Sequence, residues 1–242
     1  MINPLKFFSP SWWRQLAIRL RWQQGRSSEL RFWDRYLSSK GLRWPQEFQQ
    51  RLDPNLPLSP ELAGLLDPAS SRPKVLDVGA GPLTVVGRRF RGMTVDLAAI
   101  DPLAAEYDIL LARHQIVPPV RTIRGVGETL DRQFPPNSFD LAHARNCLDH
   151  GLDPVAAVEQ MLAVVKPGGW VVLRHHPDEA IAENWRGMHQ WNFSRSPEGD
   201  FIISSRSEAV NVTRKLRQCA EISCDIHNDD GELWLEVRIR KI

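Results

Sequence analysis

Strand-like and helix-like segments alternate along the chain from about residue 71 onward, and this alternation limits the fold more than any other feature of the sequence. Apolar runs such as VLDVG and FDLAHARN predict strands. The helix-like stretches between the strands are 85–90, 103–114 and 154–165. Strands that alternate with helices predict a parallel sheet covered by helices on both faces. We therefore expect an α/β fold with a doubly wound, mostly parallel sheet.

The end of the chain follows a different pattern. The segments AEISCDIH and ELWLEVRIRK are strand-like and flank the turn-forming residues 228–231. Two strand-like runs joined by such residues predict a β-hairpin. The sheet should therefore close with antiparallel strands at the C-terminus.

The first part of the chain is predicted to be helical, because it contains no strand-like alternation. Ser28 is a candidate N-cap for a helix that ends near Gly41. Four prolines then precede the first predicted strand and indicate a linker. We predict an N-terminal helical extension, or cap, over residues 1–70 and a main domain over residues 71–242.

Composition restricts the cellular setting and the partners. The chain has 242 residues, 42% of them hydrophobic, which is enough for one sizeable core and an appendage. It lacks a run of about 18 apolar residues and a recognisable signal peptide, and its three cysteines have no metal-type spacing. A cytoplasmic protein is expected. The net charge of +2 gives no reason to expect a nucleic-acid partner.

Residues 1–26 carry five basic residues and no acidic one, interleaved with tryptophans. Such a helix could rest on an anionic membrane surface through its basic face. It could equally lie over a substrate cleft or form a homodimer contact, with its aromatic side chains buried. The sequence leaves peripheral membrane contact, lid and homodimer open.

The stretch VLDVGAGPLT places Gly79 and Gly81 directly after a buried strand. A glycine turn at this place allows a ligand to approach the backbone closely. The dinucleotide fingerprint requires a third glycine where this chain has Thr84, and no Gly-Lys-Ser/Thr follows as a P-loop requires. Neither a dinucleotide nor a nucleoside triphosphate is therefore favoured.

Two carboxylates indicate the charge of the ligand. Asp77 precedes the turn and would repel a pyrophosphate but attract a cation. Asp101 follows Gly81 by 20 residues and ends the second predicted strand, where a carboxylate can accept the hydroxyls of a ribose. Together they favour an adenosyl sulfonium.

The order of these motifs resembles that of the class I S-adenosylmethionine-dependent methyltransferases. The similar segments are VLDVGAG, IDPL, GVGETL, FDLAHARNCLDH and VVKPGGWVVL, which cover residues 75–174. The resemblance implies a Rossmann-like sheet of seven strands, the last two antiparallel. It also implies a methyltransferase that takes S-adenosyl-L-methionine as cofactor and releases S-adenosyl-L-homocysteine.

The resemblance further implies which residues contact the cofactor. The glycine turn would pass the methionine part, Asp101 would bind ribose, Gly127 and Glu128 would border adenine, and Asn146 would back the methionine. The full implied set is Asp77, Gly79, Ala80, Gly81, Asp101, Pro102, Leu103, Gly127, Glu128 and Asn146. Many relatives have Asp where this chain has Val126, so the adenine amino group should rest on backbone or on Glu128.

Methyl transfer to a hydroxyl group needs a base, because an alcohol keeps its proton at neutral pH. The candidate catalytic residues are His150, His176 and His189, which stand in or beside the loops after the fourth and fifth predicted strands. Strand alternation places His175 and His176 on opposite faces, and we select His176 for the pocket.

The segment WRGMHQWNF combines aromatic and amide side chains that could bind a small polar acceptor. Its predicted substrate-binding residues are Trp185, Gln190, Trp191 and Asn192. This suggests O-methylation of a sugar or secondary-metabolite hydroxyl in a biosynthetic reaction. The alternatives are N-methylation, metal-assisted O-methylation, and a partner protein that binds the cofactor without catalysis.

A metal site is a further alternative at Asn146-x-x-Asp149-His150. This spacing resembles the Glu-x-x-Glu-His ligand set of metal-assisted methyltransferases, with Asn in place of the first carboxylate. The lost charge weakens a site for a hard cation, so no metal is expected.

Overall fold

In the computed structural model of the protein, residues 10–229 and 231–242 are described, with side chains given for Trp22 and from Gly25 onward. The helices are α1 (Pro10–Ser38), α2 (Pro45–Leu52), α3 (Pro60–Ala63), α4 (Ala104–Arg113), α5 (Pro154–Val164), α6 (Glu179–Ala182) and α7 (Val212–Leu216). The strands are β1 (Lys74–Val78), β2 (Arg89–Phe90), β3 (Met93–Thr94), β4 (Asp96–Asp101), β5 (Ile123–Arg124), β6 (Phe139–Arg145), β7 (Val165–His175), β8 (Asn192–Arg195), β9 (Phe201–Ser204), β10 (Ala209–Asn211), β11 (Ala220–Asp229) and β12 (Glu232–Lys241).

Seven strands form the central sheet in the order β11-β12-β7-β6-β1-β4-β5. The five strands from β7 to β5 run parallel, whereas β12 pairs antiparallel with β7 and β11 antiparallel with β12. This confirms the predicted Rossmann-like α/β fold and its C-terminal hairpin. The strand order reverses beside β1, and ligands of open α/β sheets bind beyond the carboxyl ends of the strands at such a point.

Apolar residues cover both faces of the sheet. One face packs against α5 and a small antiparallel sheet of β8, β9 and β10, around residues such as Leu76, Val171 and Phe193. The other face packs against α3 and the segments next to it, around Val75 and Leu141. The small sheet was not predicted, because its strands have only three or four residues each and show little alternation.

Local capping explains two of the helix starts. The Asp153 side chain accepts a hydrogen bond from Ala156 N–H at 3.0 Å, and Pro154 occupies the first helical position of α5. Ser59 caps α3 in the same way, with Pro60 following it. Helices α3 and α5 therefore both begin at the proline that follows the capping residue.

The predicted helix at 85–90 is wrong. After the glycine turn the chain instead runs through a loop into β2, which pairs with β3. The N–H groups of Arg88 and Arg89 donate to the Leu56 carbonyl oxygen at 2.6 and 3.0 Å. Backbone bonds to the proline-rich segment therefore replace the helical bonds that the pattern of residues 85–90 indicated.

The predicted cap at Ser28 is also wrong, because α1 runs through this residue as one continuous helix. The apolar face of α1 has helical spacing, and Trp33, Tyr36 and Leu37 pack together with α4 residues such as Tyr107. The helix ends where Gly41, at φ +112°, donates its N–H to the Tyr36 carbonyl oxygen at 2.8 Å.

The N-terminal helices share apolar clusters with the rest of the protein. One joins α1, α2 and α4, and another joins α3 to the sheet. Because these clusters extend across residue 70, the division of the chain into an N-terminal cap and a main domain at this residue remains a prediction.

The predicted lipid and homodimer contacts of residues 1–26 lie largely outside the side chains that the structure describes. Among the described residues, no helix is both long and apolar enough to span a bilayer.

Gly87 provides a test of the packing that replaces the predicted helix. A Cβ atom there would lie 2.0 Å from the Pro57 carbonyl oxygen, so backbone would have to move. We expect Gly87→Ala to lower the free energy of unfolding by about 2–3 kcal/mol, measured by urea denaturation. Gly92→Ala is the control: its Cβ would meet nothing within 4 Å, and only the cost of a residue at φ +82° applies. Equal losses in the two variants would contradict the close contact with Pro57.

Candidate functional site

A cavity of about 1510 Å³ lies beyond the carboxyl ends of β1, β4, β6 and β7, and α1 and α2 form its roof. Pockets for a single small molecule have volumes of about 300–1,000 Å³. The cavity is therefore large enough for two ligands side by side.

The glycine turn forms part of the cavity wall. Gly79 and Gly81 have φ values of +70° and +63°, which favour glycine. A Cβ atom at Gly79 would lie 2.4 Å from Cys147 Sγ, and one at Gly81 would lie 2.6 Å from the Trp33 ring. The N–H groups of Gly79 and Ala80 donate to the Ile100 carbonyl oxygen. The turn thus lets Cys147 and Trp33 pack directly against the backbone, and the N–H groups of Gly79 and Ala80 are used within the protein.

Asp101 ends β4 and lines the cavity with Pro102 and Leu103. Its carboxylate accepts hydrogen bonds from Leu103 N–H at 2.8 Å and Gly81 N–H at 3.2 Å. Burial nevertheless raises the pKa of Asp101 to about 7. Its charge therefore changes near neutral pH in the free protein.

Asp77 lines the cavity, and both of its carboxylate oxygens are engaged inside the protein. One oxygen lies 2.8 Å from His143 Nδ1, and the other accepts a hydrogen bond from the Thr84 hydroxyl at 2.5 Å. All three side chains are buried. Asp77 therefore joins β1 to β6 and to the loop after the glycine turn.

Asn146 follows β6 in a left-handed conformation, at φ +48°, and lines the cavity. Its N–H donates to the Arg174 carbonyl oxygen at 2.9 Å. Its side-chain Oδ1 is buried without a partner among the described residues. A buried polar atom without a partner costs about 1–3 kcal/mol, so this oxygen is suited to accept a hydrogen bond from a ligand.

Gly127 and Glu128 line the cavity next to Val126. Glu128 Oε1 accepts the N–H groups of Leu152 and Asp153 at 2.8 and 3.2 Å. Glu128 therefore fixes the loop before α5, and only its second oxygen remains for other contacts.

Residues of α1 were not predicted as part of this site, yet they cover the glycine turn. Trp33 donates its ring N–H to Glu29 Oε1 at 2.8 Å and packs at its edge against Tyr107 and Tyr36. Glu29, Trp33 and Tyr36 are separated by four and three residues, which places them on one helix face. The spacing of these residues could have predicted that they share a helix face, but it does not show which part of the protein that face covers.

Asp149 lies at the centre of a cluster of histidines at another side of the cavity. Its Oδ2 accepts a hydrogen bond from His189 Nδ1 at 2.8 Å and lies 3.4 Å from His150 Nε2. Glu179 Oε1 lies 3.9 Å from His189 Nδ1. Asp149 is almost fully buried, whereas His150, Glu179 and His189 line the cavity.

The charges of this cluster stabilise one another. Burial alone would raise the pKa of Asp149, but the charge of His150 and the hydrogen bond from His189 lower it. Burial alone would lower the pKa of His189, but the bond to Asp149 and the charge of Glu179 raise it. These interactions favour an anionic Asp149 and hold the pKa of His189 above its ordinary value.

Several buried polar atoms in and beside the cluster have no hydrogen-bond partner among the described residues. They are Asp149 Oδ1, His150 Nε2, Glu179 Oε2 and both ring nitrogens of His175, whose Nδ1 lies 4.0 Å from Asp149 Oδ1.

The ligand atoms of Asp149, His150 and His189 lie within 4.8 Å of one another and could hold a metal ion. Imidazole and carboxylate are common ligands of zinc and of other divalent transition metals. Asp149 and His150 of the Asn146-x-x-Asp149-His150 spacing thus belong to this group.

His176 lines the cavity, and His175 is fully buried on the other side, stacked on Phe193 at 4.3 Å. His176 Nδ1 lies 3.1 Å from the Leu233 carbonyl oxygen, and the ring packs on Trp234 at 3.9 Å. A carbonyl oxygen can only accept, so Nδ1 carries the proton and Nε2 of the neutral ring is left as an acceptor.

The four predicted substrate-binding residues need a correction, because Trp185, Gln190, Trp191 and Asn192 do not line the cavity. The Gln190 amide donates to the carbonyl oxygens of Trp185 and Gly187, and the Trp191 ring N–H donates to that of Gly151. The Asn192 side chain accepts Ile181 N–H. Trp191 and Asn192 are buried as the chain enters β8, while the preceding residues 186–189 face the cavity.

Comparison with known proteins gives a family match and a partial relative. Residues 48–209 match the family model of a methyltransferase domain. An uncharacterised methyltransferase of Schizosaccharomyces pombe is 29% identical over 108 residues, which cover 40% of this chain and 38% of that protein. The chain therefore spans less than half the length of the curated relative it matches.

Two solved structures share the fold. The methyltransferase CalH in complex with S-adenosylhomocysteine aligns with a TM-score of 0.54 and 14% identity, over 82% of this chain and 59% of that one. Phosphoethanolamine N-methyltransferase 2 of Haemonchus contortus, in complex with S-adenosylmethionine, aligns with a TM-score of 0.52 and 14% identity, over 75% and 51%. At this identity the likeness shows the fold alone.

The pairing of Asp149 with His189 can be tested by NMR titration of the histidine side chains. Although burial opposes it, the hydrogen bond to Asp149 should hold the pKa of His189 above that of an ordinary histidine. In Asp149→Asn the negative charge is lost and the pKa of His189 should fall. The signals of His227, exposed on β11, should be the same in both proteins and serve as the control. A pKa of His189 unaffected by the substitution would contradict the pairing.

Proposed function

Since this chain belongs to the methyltransferase-domain family, we propose that it is a class I S-adenosylmethionine-dependent methyltransferase and that it methylates a hydroxyl group of a small polar molecule, such as a sugar or a secondary metabolite. The observation that supports this proposal is the Asp149–His189 pair, which shares one cavity with Asp101 and the glycine turn. A hydroxyl group needs such a base, because it keeps its proton at neutral pH.

At the donor end of the cavity, the chain's residues fit an adenosyl sulfonium. S-adenosylmethionine supplies a methyl group made electrophilic by the positively charged sulfur to which it is bonded. We assign Asp101 to the ribose hydroxyls, and the glycine turn and Asn146 to the methionine part. The unpartnered Oδ1 of Asn146 supports this assignment, because it can accept a hydrogen bond from an ammonium group.

At the acceptor end, we assign His189 as the general base. Its Nδ1 is held by Asp149, which leaves Nε2 to take the proton of the acceptor hydroxyl. The imidazolium that results is stabilised by the negative charges of Asp149 and Glu179. His150, in edge contact with His189 at 4.6 Å, and His176 are further candidates that line the same cavity.

We also propose that residues 1–70 act as a cap over residues 71–242. Trp33 and Tyr36 of α1 and Trp44 before α2 line the cavity from above. Aromatic groups at this place exclude water from the site of transfer, which strengthens the electrostatic interactions of the buried carboxylates. The cap would also restrict access to small acceptors.

Metal-assisted O-methylation is a second candidate, and one observation favours it. The ligand atoms of Asp149, His150 and His189 lie close enough to share a divalent ion, and several atoms around them have no partner among the described residues. These residues would hold the ion, and the ion would supply a positive charge that makes a nearby hydroxyl more acidic. In that case His189 is a ligand and not the base.

The role of Asp101 can be tested by calorimetry with S-adenosylhomocysteine. The carboxylate form should bind ribose, so affinity should be lost as pH falls through the pKa of about 7, by about tenfold between pH 8 and pH 6. Asp101→Asn should weaken binding by about 1–3 kcal/mol at pH 8 and remove this pH dependence. Asp131→Asn, on the exposed surface, should leave both unchanged. Affinity that Asp101→Asn does not change would refute the assignment.

The reaction itself can be tested with S-adenosylmethionine carrying a labelled methyl group and a metabolite extract. We expect transfer to a hydroxyl compound, and a fall in turnover of about 10²–10⁴-fold in His189→Ala. His227→Ala, exposed and outside the cavity, is the matched control and should keep full activity. Transfer that chelation abolishes and a divalent metal restores would favour the metal-assisted reaction. Full activity of His150→Ala, His176→Ala and His189→Ala alike would instead indicate an amine acceptor, and absence of any transfer would indicate a non-catalytic partner protein.

A further inference from the structure

Two arginines project from neighbouring strands at the acceptor end of the cavity. Arg145 ends β6 and Arg174 is the residue paired with it on β7. The two guanidinium carbons lie 5.1 and 4.6 Å from the ring centre of Trp234 on β12. Side chains at paired positions of parallel strands point to the same face of a sheet, so these guanidinium groups stand side by side. We call Arg145, Arg174 and the adjoining Tyr36 the arginine wall.

The positive charge of the arginine wall is only partly compensated. Glu47 of α2 is shared between two guanidinium groups, with Arg51 Nη2 at 2.7 Å and Arg145 Nη1 at 3.0 Å. Arg174 contacts Asp229, whose side chain is 59% exposed to solvent. Three guanidinium groups thus face two carboxylates, one of them largely in water.

Hydrogen-bond donors at the arginine wall also lack acceptors. Arg174 Nε and Tyr36 Oη are both buried without a partner among the residues that the structure describes. Burial lowers the pKa of Arg145, which shows that its charge is poorly solvated. Leaving a charged or polar group buried and unpaired is costly, and an anionic ligand would remove that cost.

Another side of the acceptor end carries the opposite charge. Asp149 and Glu179 are carboxylates, and His189 beside them is the assigned base. An acceptor that carries an anionic group would be repelled from these carboxylates and attracted to the arginines. Its hydroxyl group could then point toward His189. Arg35 and Arg43, exposed side chains that also line the cavity, would attract such an anion from solution.

We propose that the arginine wall binds the carboxylate or phosphate group of the methyl acceptor, so that the acceptor is a small hydroxylated anion. This inference rests on the proposed function for the identity of the ligand, but the anion site itself does not depend on it. Guanidinium groups suit both anions, because their N–H donors match two oxygens at once.

The first test is calorimetry on the full chain saturated with S-adenosylhomocysteine, with inorganic phosphate, benzoate and neutral benzamide as probes. We expect one or both anions to bind and benzamide not to bind. Arg174→Gln should weaken anion binding at least tenfold. Arg240→Gln is the matched control, because Arg240 lies over Trp170 at 5.8 Å in a similar arrangement outside the cavity. It should bind the anions as the unchanged protein does.

A second variant distinguishes the loss of anion binding from the loss of the folded structure. Tyr36→Phe removes one hydroxyl and keeps the ring that packs against Phe48 at 5.7 Å, so the fold should persist. We expect a several-fold loss of anion affinity with an unchanged melting temperature. The proposal is overturned if neither anion binds, if benzamide binds equally well, or if Arg174→Gln and Tyr36→Phe both bind anions as the unchanged protein does.

The second test divides the metabolite extract by anion exchange before incubation with the labelled methyl donor. We expect the anionic fraction to accept the label and the neutral fraction not to accept it. Label in the neutral fraction alone would overturn the anion site while methyl transfer stands. Anion binding in the calorimeter without transfer to either fraction would support the anion site and overturn the proposed function.

Discussion

The buried carboxylate of Asp77 is the interaction on which the rest of the site depends. It joins His143 on the neighbouring strand to Thr84 in the loop after the glycine turn, so one side chain fixes the position of three chain segments. A buried acceptor left without its donors costs about 1–3 kcal/mol, which keeps these segments in one arrangement. The glycine turn is held at the edge of the sheet by this contact and by its bonds to Ile100.

The glycine turn in turn determines how the roof can pack. Gly79 and Gly81 leave room for Cys147 and Trp33, and any larger residue would push these groups away. Helix α1 can therefore lie directly over the turn, and its aromatic face joins α2 and α4 in a shared apolar cluster. The same contacts that stabilise the N-terminal helices thus enclose the cavity.

Charge is distributed unevenly within the enclosed cavity. Asp101 lies beside the glycine turn, and the Asp149 cluster and the arginine wall lie on other sides of the cavity. Each group is buried enough that its charge is weakly screened, and each therefore acts strongly on a ligand nearby. A cavity of this kind can orient a ligand by the charges on its different sides as well as by its shape.

The sequence by itself determined the alternation of strands and helices, the C-terminal hairpin and the family, because these follow from local periodicity and from motifs of adjacent residues. It also indicated Asp101 and the glycine turn, which lie at strand ends that any parallel sheet brings together. Only the tertiary structure decided that residues 85–90 form no helix, since the N–H groups of Arg88 and Arg89 donate to Leu56 in a distant segment of the chain. It likewise decided that Trp191 is buried, that His189 meets Asp149 across 40 residues of sequence, and that Arg145 and Arg174 stand together. These features depend on contacts between segments far apart in the chain, and local patterns carry no information about which distant segment will supply the partner.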